Sequence, residues 1–363
     1  MAGRKALGMR RAWLTAIAAA AVLTSVSVRA DPDAFVLDRF GEYLESLRVQ
    51  VNIPALAATV VGTNDILWER GFGRQDLESA IPASPITAFH LDSDTQLFTA
   101  AMTLRCVESG RLSLDDLVGK FRPGSPDAGV TLGQLLTHTS ETPSGLVFSY
   151  RPERLEPLWP AIKACENGSF RKTLATLLDR NAMMDSVPGP DVLALTPPAE
   201  GIPSAQDAER YKNALKRLAI PYAVDGQGRA TASRYTATTL TPGTGLISTV
   251  RDLARFDLAL RSGVIVRLDT LTNAWQAPVG AKGQRLPHGL GWFVQNSNGQ
   301  PVVWQFGTGE TGSSSLIVTL PARGLTVILL ANSNGLAKTS PALSAGDLTA
   351  SPFGRLILGV FAH

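Results

Sequence analysis

Strand patterns are concentrated at the two ends of this chain, and helical patterns fill the long stretch between them. Near the start, residues 57–61 and 66–69 are short β-prone runs on either side of a Gly62–Asp65 turn. Four further runs lie near the end, at residues 290–294, 302–305, 314–320 and 325–331. Neither group is large enough for a sheet of its own. The simplest packing therefore joins the first and the last strands in one sheet.

Helical periodicity accounts for most of the middle of the chain. The predicted helices cover residues 33–49, 95–108, 131–138, 170–181, 250–261 and 352–361. The chain of 363 residues, 44% of them hydrophobic, can bury a large core. These patterns predict an α/β (α+β) fold for residues 31–363. A sheet lobe takes about 31–90 and 285–363, a helical lobe about 91–284 is inserted into it, and a ligand cleft lies between them.

The first 30 residues have the pattern of a signal peptide. Basic residues up to Arg11 precede 17 uncharged residues, and Val28–Ala30 then places small or apolar side chains at the positions before Asp31 that a signal peptidase recognises. Cleavage there predicts a periplasmic or secreted protein. An uncleaved membrane anchor is the alternative, because 17 uncharged residues approach the length of a membrane span.

Charge and cysteine content narrow the classes of function. Residues 1–30 hold five Lys/Arg and no Asp/Glu, so the formal net charge of +3 becomes −2 in the mature chain. No basic patch indicates nucleic acid or a polybasic membrane contact.

Cys106 and Cys165 are either two buried thiols, the favoured interpretation, or a disulfide, which export permits. Their spacing fits no zinc site, no cofactor is indicated, and the sequence carries no signal for an oligomeric state.

A serine at the predicted start of a helix is the strongest candidate for chemistry. Ser93 lies just before the helix at 95–108, where backbone N–H groups and the helix dipole favour a developing oxyanion or an acyl group. A side chain three positions on lies on the same face, and a lysine there could activate the alcohol, as in the Ser-x-x-Lys signature. The residue at that position is Gln96. Taken alone, Ser93 is most simply a helix cap.

Successive blocks around and after Ser93 resemble those of the penicillin-recognising serine hydrolases. This family includes class C β-lactamases, D-alanyl-D-alanine carboxypeptidases and related esterases. The blocks, in the family's order, are residues 93–101, 110–116, 131–140, 243–256 and 288–292. The resemblance covers nearly the whole mature chain. It implies a mainly antiparallel sheet flanked by helices, an all-helical lobe, and an active site between the two.

The resemblance also assigns site residues. It implies that Ser93 is the nucleophile, that Gln96 stands at the lysine position, and that Tyr150 is the tyrosine of a Tyr-x-Asn box whose asparagine is replaced here. The Lys- or His-x-Gly box on the strand beside the serine corresponds to residues 305–307, so Gln305 replaces the basic residue. Gly307 and Thr308, on the same strand, are expected to bind the ligand. No metal is implied.

Loss of both basic residues predicts impaired catalysis. A glutamine has no useful basicity, and being neutral it cannot lower the pKa of Tyr150 by charge. Binding of a small-molecule or peptide acyl ligand (an amide, an ester or a β-lactam) does not depend on a lysine. The alternative is an active serine hydrolase that forms an acyl-enzyme on Ser93 with Tyr150 as the base.

Other polar residues near the motifs receive structural interpretations. His90 is expected to be a packing or surface residue, His138 to be structural within a helix-ending turn, and His288 to lie at the surface. Asp94, in the first helical turn, is explained by the helix dipole alone.

Overall fold

The computed structural model describes residues 32–195, 204–309, 312–338 and 340–362, which lie within one compact unit from Asp31 to His363. The predicted signal peptide, residues 1–30, lies outside these described residues. In the described ranges, none of the helices combines the length and the apolar character needed to cross a membrane.

Strands at the two chain ends and helices between them follow the order expected from the sequence, but the middle of the chain is not entirely helical, because residues 139–148 and 222–232 each contain a two-stranded sheet. The strands are β1 Ala55–Val61, β2 Ile66–Asp76, β3 Ile81–Pro82, β4 Phe89–His90, β5 Thr139–Thr142, β6 Gly145–Phe148, β7 Tyr222–Val224, β8 Ala230–Ala232, β9 Ile247–Ser248, β10 Phe293–Ser297, β11 Gln300–Gly309, β12 Ser313–Leu320 and β13 Leu325–Ala331. The helices are α1 Ala34–Gln50, α2 Thr95–Glu108, α3 Val118–Phe121, α4 Leu132–Leu136, α5 Leu158–Glu166, α6 Phe170–Arg180, α7 Ala205–Leu215, α8 Val250–Arg261, α9 Leu268–Ala274, α10 Ser340–Ser344 and α11 Pro352–Phe361.

The main sheet joins the two ends of the chain. Its seven described strands run in the order β10-β11-β12-β13-β1-β2-β3, and every neighbouring pair is antiparallel. The central pair is β1 with β13, in which Leu56 lies opposite Ala331. The predicted fold class, an antiparallel sheet with flanking helices built from both chain ends, is therefore confirmed.

Both faces of the sheet are buried, and alternate residues of each central strand enter different cores. In β1, Ala57 packs toward the core that contains α2 and α8, whereas Leu56 packs toward α1 and α11. This alternation follows from the two-residue period of a strand. Because the terminal helices cover one face, the other face is free to receive the helical part of the chain and the site.

Local signals place the helices that carry the site. Helix α2 has the predicted bounds, and α4 is capped by Thr131, which forms both hydrogen bonds of a capping box with Gln134. Strand β10 starts later than expected, at Phe293. The preceding His288–Trp292 segment is a tight turn in which the N–H of Gly291 bonds the carbonyl of Gly289 at 2.9 Å. A Cβ at Gly291 would lie 2.5 Å from the side chain of Ala100, so the turn packs directly on α2.

The two cysteines form a disulfide, so the favoured interpretation of two buried thiols is wrong. Cys106 near the end of α2 is bonded to Cys165 near the end of α5. The helical packing of α2 against α5 brings the two sulfurs together, a proximity that the separation of 59 residues did not reveal. The bridge closes a long loop and thereby restricts the unfolded chain.

Candidate functional site

Ser93 lies in a short 3₁₀ turn, Asp92–Asp94, that leads directly into α2. The preceding residue, Asp92, has a φ of 46°, a left-handed conformation that is unfavourable for a residue with a side chain. Backbone strain of this kind is retained where the surrounding structure enforces it, often at functional sites. The turn is buried on the side of the sheet and opens toward a cleft at Ser93.

The end of strand β11 packs closely against the Asp92–Asp94 turn because Gly307 has no side chain. A Cβ at Gly307 would lie 2.2 Å from the carbonyl oxygen of Leu91 and 2.4 Å from Oγ of Ser315. The glycine therefore permits an approach that no other residue would allow without a backbone shift. This approach brings the carbonyl of Phe306 within 3.3 Å of the Ser93 hydroxyl, which donates a hydrogen bond to it.

A cleft of about 750 Å³ opens at Ser93. Tyr150, Thr308 and Gly309 line it together with the serine, as do residues from the segment 236–244. The predicted site residues Ser93, Tyr150 and Thr308 thus share one cleft. Gly307 was expected to bind the ligand, but it does not line the cleft. Its lack of a side chain lets strand β11 approach the Ser93 turn closely.

Gln96 lies one helical turn after Ser93 and is completely buried. Its Oε1 is 2.9 Å from Nε2 of His138, and its Nε2 donates to the Tyr150 hydroxyl at 2.7 Å. Nδ1 of His138 accepts from the backbone N–H of Arg151. The proton of this imidazole must therefore be on Nε2, so that His138 donates to Gln96.

Gln305 continues this network on the strand side. The Tyr150 hydroxyl, 3.1 Å from Oε1 of Gln305, donates to it, and Nε2 of Gln305 lies 3.3 Å from Nε2 of His288. Nδ1 of His288 is 2.7 Å from the carbonyl of Gly289 and must donate to it, which leaves Nε2 as the acceptor. An amide–phenol network, consisting of His138, Gln96, Tyr150, Gln305 and His288, therefore runs behind Ser93 as a chain of neutral side chains.

Burial keeps this network neutral. Desolvation lowers the pKa of His288 to about 3 and holds that of His138 well below its usual range, since both imidazoles are buried. Desolvation also raises the pKa of Tyr150 far above its ordinary value. The charge of Asp94 adds to the rise, and hydrogen bonds from Gln96 and Ser93 offset part of it. A phenol with a raised pKa is a weaker acid, so the tyrosinate needed for a base is disfavoured.

Two carboxylates flank the serine. Asp92 accepts a hydrogen bond from the hydroxyl of Ser313, and burial raises its pKa to about 6. Asp94 is fully buried, and both of its oxygens lack a well-formed hydrogen bond among the described residues. Its pKa rises to about 7, mainly through desolvation, while the Ser315 hydroxyl lowers it and Asp92 raises it further. The helix-dipole interpretation of Asp94 omitted this burial.

Sequence reasoning missed the two histidines of the network. His288 is fully buried instead of exposed, because the turn that carries it packs on α2. His138, expected to be structural, is buried and hydrogen-bonds Gln96, and its positive φ of 52° turns it back toward α2. His90 is buried and stacks on Tyr235 with 3.9 Å between ring centres, away from the network. The signal for His288 was its place within one of the family-like blocks.

The described residues offer one cluster of metal-ligand side chains, formed by Cys106, Cys165 and Glu166. The two sulfurs are bonded to each other, so this cluster has no thiolate for a metal.

Sequence comparison identifies the relatives of the chain. The family model for Beta-lactamase matches residues 38–178 and 188–348. Protein flp of Staphylococcus aureus (strain MW2) is 23% identical over 306 residues, which are 78% of this chain and 60% of the flp protein. Penicillin-binding protein 4* of Bacillus subtilis (strain 168) is 25% identical over 305 residues, 74% of this chain and 66% of that protein. The chain thus spans about three fifths of the flp relative's length.

Solved structures share the fold. The octameric penicillin-binding protein homologue from Pyrococcus abyssi superposes with a TM-score of 0.69 at 21% identity, covering 89% of this chain and 77% of that one. The class C beta lactamase from Rhodobacter sphaeroides has a TM-score of 0.63 at 17% identity, covering 85% and 98%.

Proposed function

Because the chain belongs to the Beta-lactamase family, we propose that it is an exported member that binds an acyl ligand at Ser93 and turns it over poorly. The ligand is an amide, an ester or a β-lactam. Gln96 and Gln305, in place of the basic residues that the family resemblance implies, are the residues to which we attribute the loss of turnover.

The observation that carries this proposal is the environment of the Ser93 hydroxyl. It donates to the carbonyl of Phe306, which cannot accept a proton in a reaction, and the amide–phenol network behind it offers only neutral side chains. A positioned base contributes about 10²–10⁴ to a rate. Loss of a central member of a catalytic unit costs about 10⁴–10⁶.

Ligand binding has independent support. The cleft is large enough for a small acyl compound, and it holds the serine, in the turn that leads into α2, and the end of β11. Backbone N–H groups at a helix start favour a negatively polarised oxygen without any lysine. The groups that bind are therefore separable from the groups that would transfer protons.

An active hydrolase with Tyr150 as the base is the alternative. It is favoured by the position of the phenol, since the Ser93 hydroxyl is close enough to lower the pKa of Tyr150 in part. It is opposed by the net rise of that pKa and by the hydrogen bond that the protonated phenol donates to Gln305.

Mass spectrometry of the mature protein after incubation with a reporter penicillin or an activated ester separates the two. We expect no adduct, or one that accumulates over hours, with noncovalent binding of the penicillin or ester retained in Ser93→Ala. Rapid formation and decay of an adduct on Ser93, abolished in Tyr150→Phe, would establish the active hydrolase.

A gain-of-function test addresses the same point. The double variant Gln96→Lys with Gln305→His restores the basic residues that the family resemblance implies. His138, however, points its Nε2–H at position 96 and would repel the ammonium group of the new lysine. We therefore expect turnover only when His138→Asn is added, because an amide can turn its oxygen toward the lysine. Turnover in the double variant alone would show that the His138 proton does not matter.

Export to the periplasm or the outside of the cell is part of the proposal. The signal-like residues 1–30 support it, and so does the Cys106–Cys165 disulfide, because disulfides persist in oxidising compartments. The measurement is the mass of the native protein from a culture fractionated into cytoplasm, periplasm and medium.

A further inference from the structure

The cleft at Ser93 is lined by charges of one sign. Its charged lining residues are Asp92, Glu153 and Glu156, and no lysine, arginine or histidine of the described chain lines it. A cleft with a single sign of charge concentrates the field inside it and attracts ligands of the opposite sign.

Asp92 is the innermost of these carboxylates and is fixed in place. It precedes the serine, accepts from Ser313, and faces Gly309, where a Cβ would lie 3.1 Å from both of its oxygens. Because it is almost fully buried, its field is weakly screened. A pKa of about 6 leaves it mostly ionised above neutral pH.

Glu153 and Glu156 lie farther out, on the segment that follows Tyr150. Both are exposed. Glu156 pairs with Arg122 at 3.3 Å, whereas Glu153 forms no ion pair with any described residue. The one ion pair of these carboxylates among the described residues therefore uses a cation that does not line the cleft. The net charge of the described lining remains negative.

A second cleft of about 750 Å³ lies beyond Tyr150, and its charge is the opposite. Its charged lining residues are Lys282 and Arg285, and it shares Tyr150 and Ser344 with the first cleft. Neither cation forms an ion pair with a described residue. The acidic lining is thus specific to the serine side of Tyr150 and is not a general property of this surface.

We propose that the Ser93 cleft selects acyl ligands that carry a positively charged amine and discriminates against ligands that carry a carboxylate in the same place. The selection rests on the proposed function, since it assumes that Ser93 is the centre of ligand binding. The ammonium group lies toward Asp92 and Glu153, and the acyl group lies at Ser93.

Three boronic acids test the selection without turnover: 3-(aminomethyl)phenylboronic, 3-methylphenylboronic and 3-carboxyphenylboronic acid. The serine oxygen shares an electron pair with boron, its proton passes to solvent, and a tetrahedral adduct forms reversibly. Affinities are measured by calorimetry at low salt and pH 7.5. We expect the ammonium compound to bind about tenfold more tightly than the carboxylate compound, with the uncharged compound between them.

Variants locate the origin of the preference. Glu153→Gln should reduce the ammonium-to-carboxylate ratio about threefold, and high salt should reduce it further. Glu78→Gln removes the same charge from an exposed turn outside the cleft and should leave the ratio unchanged. Equal affinities, or a preference for the carboxylate, overturn the selection while leaving acyl binding intact. If Ser93→Ala binds all three as well as the native protein, or if none binds, the proposed function fails and the selection fails with it.

Discussion

The inner and outer sides of Ser93 differ in charge. Inside, the five members of the amide–phenol network are neutral and hydrogen-bonded to one another. Outside, Asp92, Glu153 and Glu156 give the cleft a negative lining. We call these the inner wall and the outer wall of the site.

The difference follows from the cost of burial. A charge removed from water must be paired or neutralised, and the inner wall avoids it altogether by placing amides where the family resemblance implies cations. In the outer wall, Glu153 and Glu156 contact solvent, where carboxylates are tolerated at little cost, and only Asp92 is buried. Changes to the inner wall should therefore alter stability strongly, and changes to the outer wall should mainly alter the choice of ligand.

Gln96→Lys should produce the largest effect, because it places an unpaired charge in the inner wall. We expect the free energy of unfolding to fall by about 3–5 kcal/mol at pH 7. Burial lowers the folded-state pKa of such a lysine, so the loss should shrink as pH rises toward the unfolded-state value of about 10. Urea denaturation across pH 7–10 measures it. Gln96→Met, of similar size and uncharged, should cost about 1–3 kcal/mol without this pH dependence. Equal losses in the two variants would contradict a charge-free inner wall.

Removal of the disulfide should cause the next largest loss in the free energy of unfolding and should leave both walls intact. The chain-entropy estimate for a bridge between residues 59 apart is about 4 kcal/mol. Cys106→Ala with Cys165→Ala should lower the urea midpoint accordingly. The ratio of boronate affinities should not change, because neither cysteine contacts a wall. A changed ratio would mean that the packing of α2 on α5 sets the geometry of the site.

The two buried carboxylates beside Ser93 predict that the free energy of unfolding depends on pH. The pKa values of Asp92 and Asp94 rise to about 6 and about 7 in the folded state, so folding favours their protonated forms. The contribution of each carboxylate to stability is present below about pH 4 and is lost as pH rises to about 7, by about 3–4 kcal/mol. Asp94→Asn should flatten this slope in urea titrations, whereas Asp115→Asn, which removes an exposed carboxylate outside the cleft, should retain it. An unchanged slope in Asp94→Asn would contradict the burial cost assigned to it.

Gly307→Ala should have the smallest effect on stability and a clear effect on the site. Its Cβ would overlap the carbonyl of Leu91, so β11 must move away from the Ser93 turn at a cost of about 1–3 kcal/mol. Boronate binding should weaken at least tenfold. Gly129→Ala, where a Cβ meets nothing within 4 Å, is the control. Wild-type boronate affinity in Gly307→Ala would show that the close approach is unnecessary.

Much of the fold was predictable because its signals are local. The bounds of α2 and α8 follow from helical periodicity and caps, and the pairing of the first strands with the last follows from their placement at the chain ends. The family-like blocks indicated that Ser93, Tyr150 and Gln305 belong together, and in the structure Ser93 and Tyr150 line one cleft while the Tyr150 hydroxyl donates to Gln305. The disulfide was not predictable, since it depends on how α2 and α5 pack.

By itself, the sequence determined that a serine precedes a helix and that an amide, not an ammonium, lies one turn later. These facts depend only on residue identity and on the helical repeat. Only the tertiary structure decided what that amide contacts. His138 and His288 reach the site from segments 42 and 17 residues away from their glutamine partners. Their protonation is set by burial and by backbone hydrogen bonds, which exist only after the sheet and the helices have packed together.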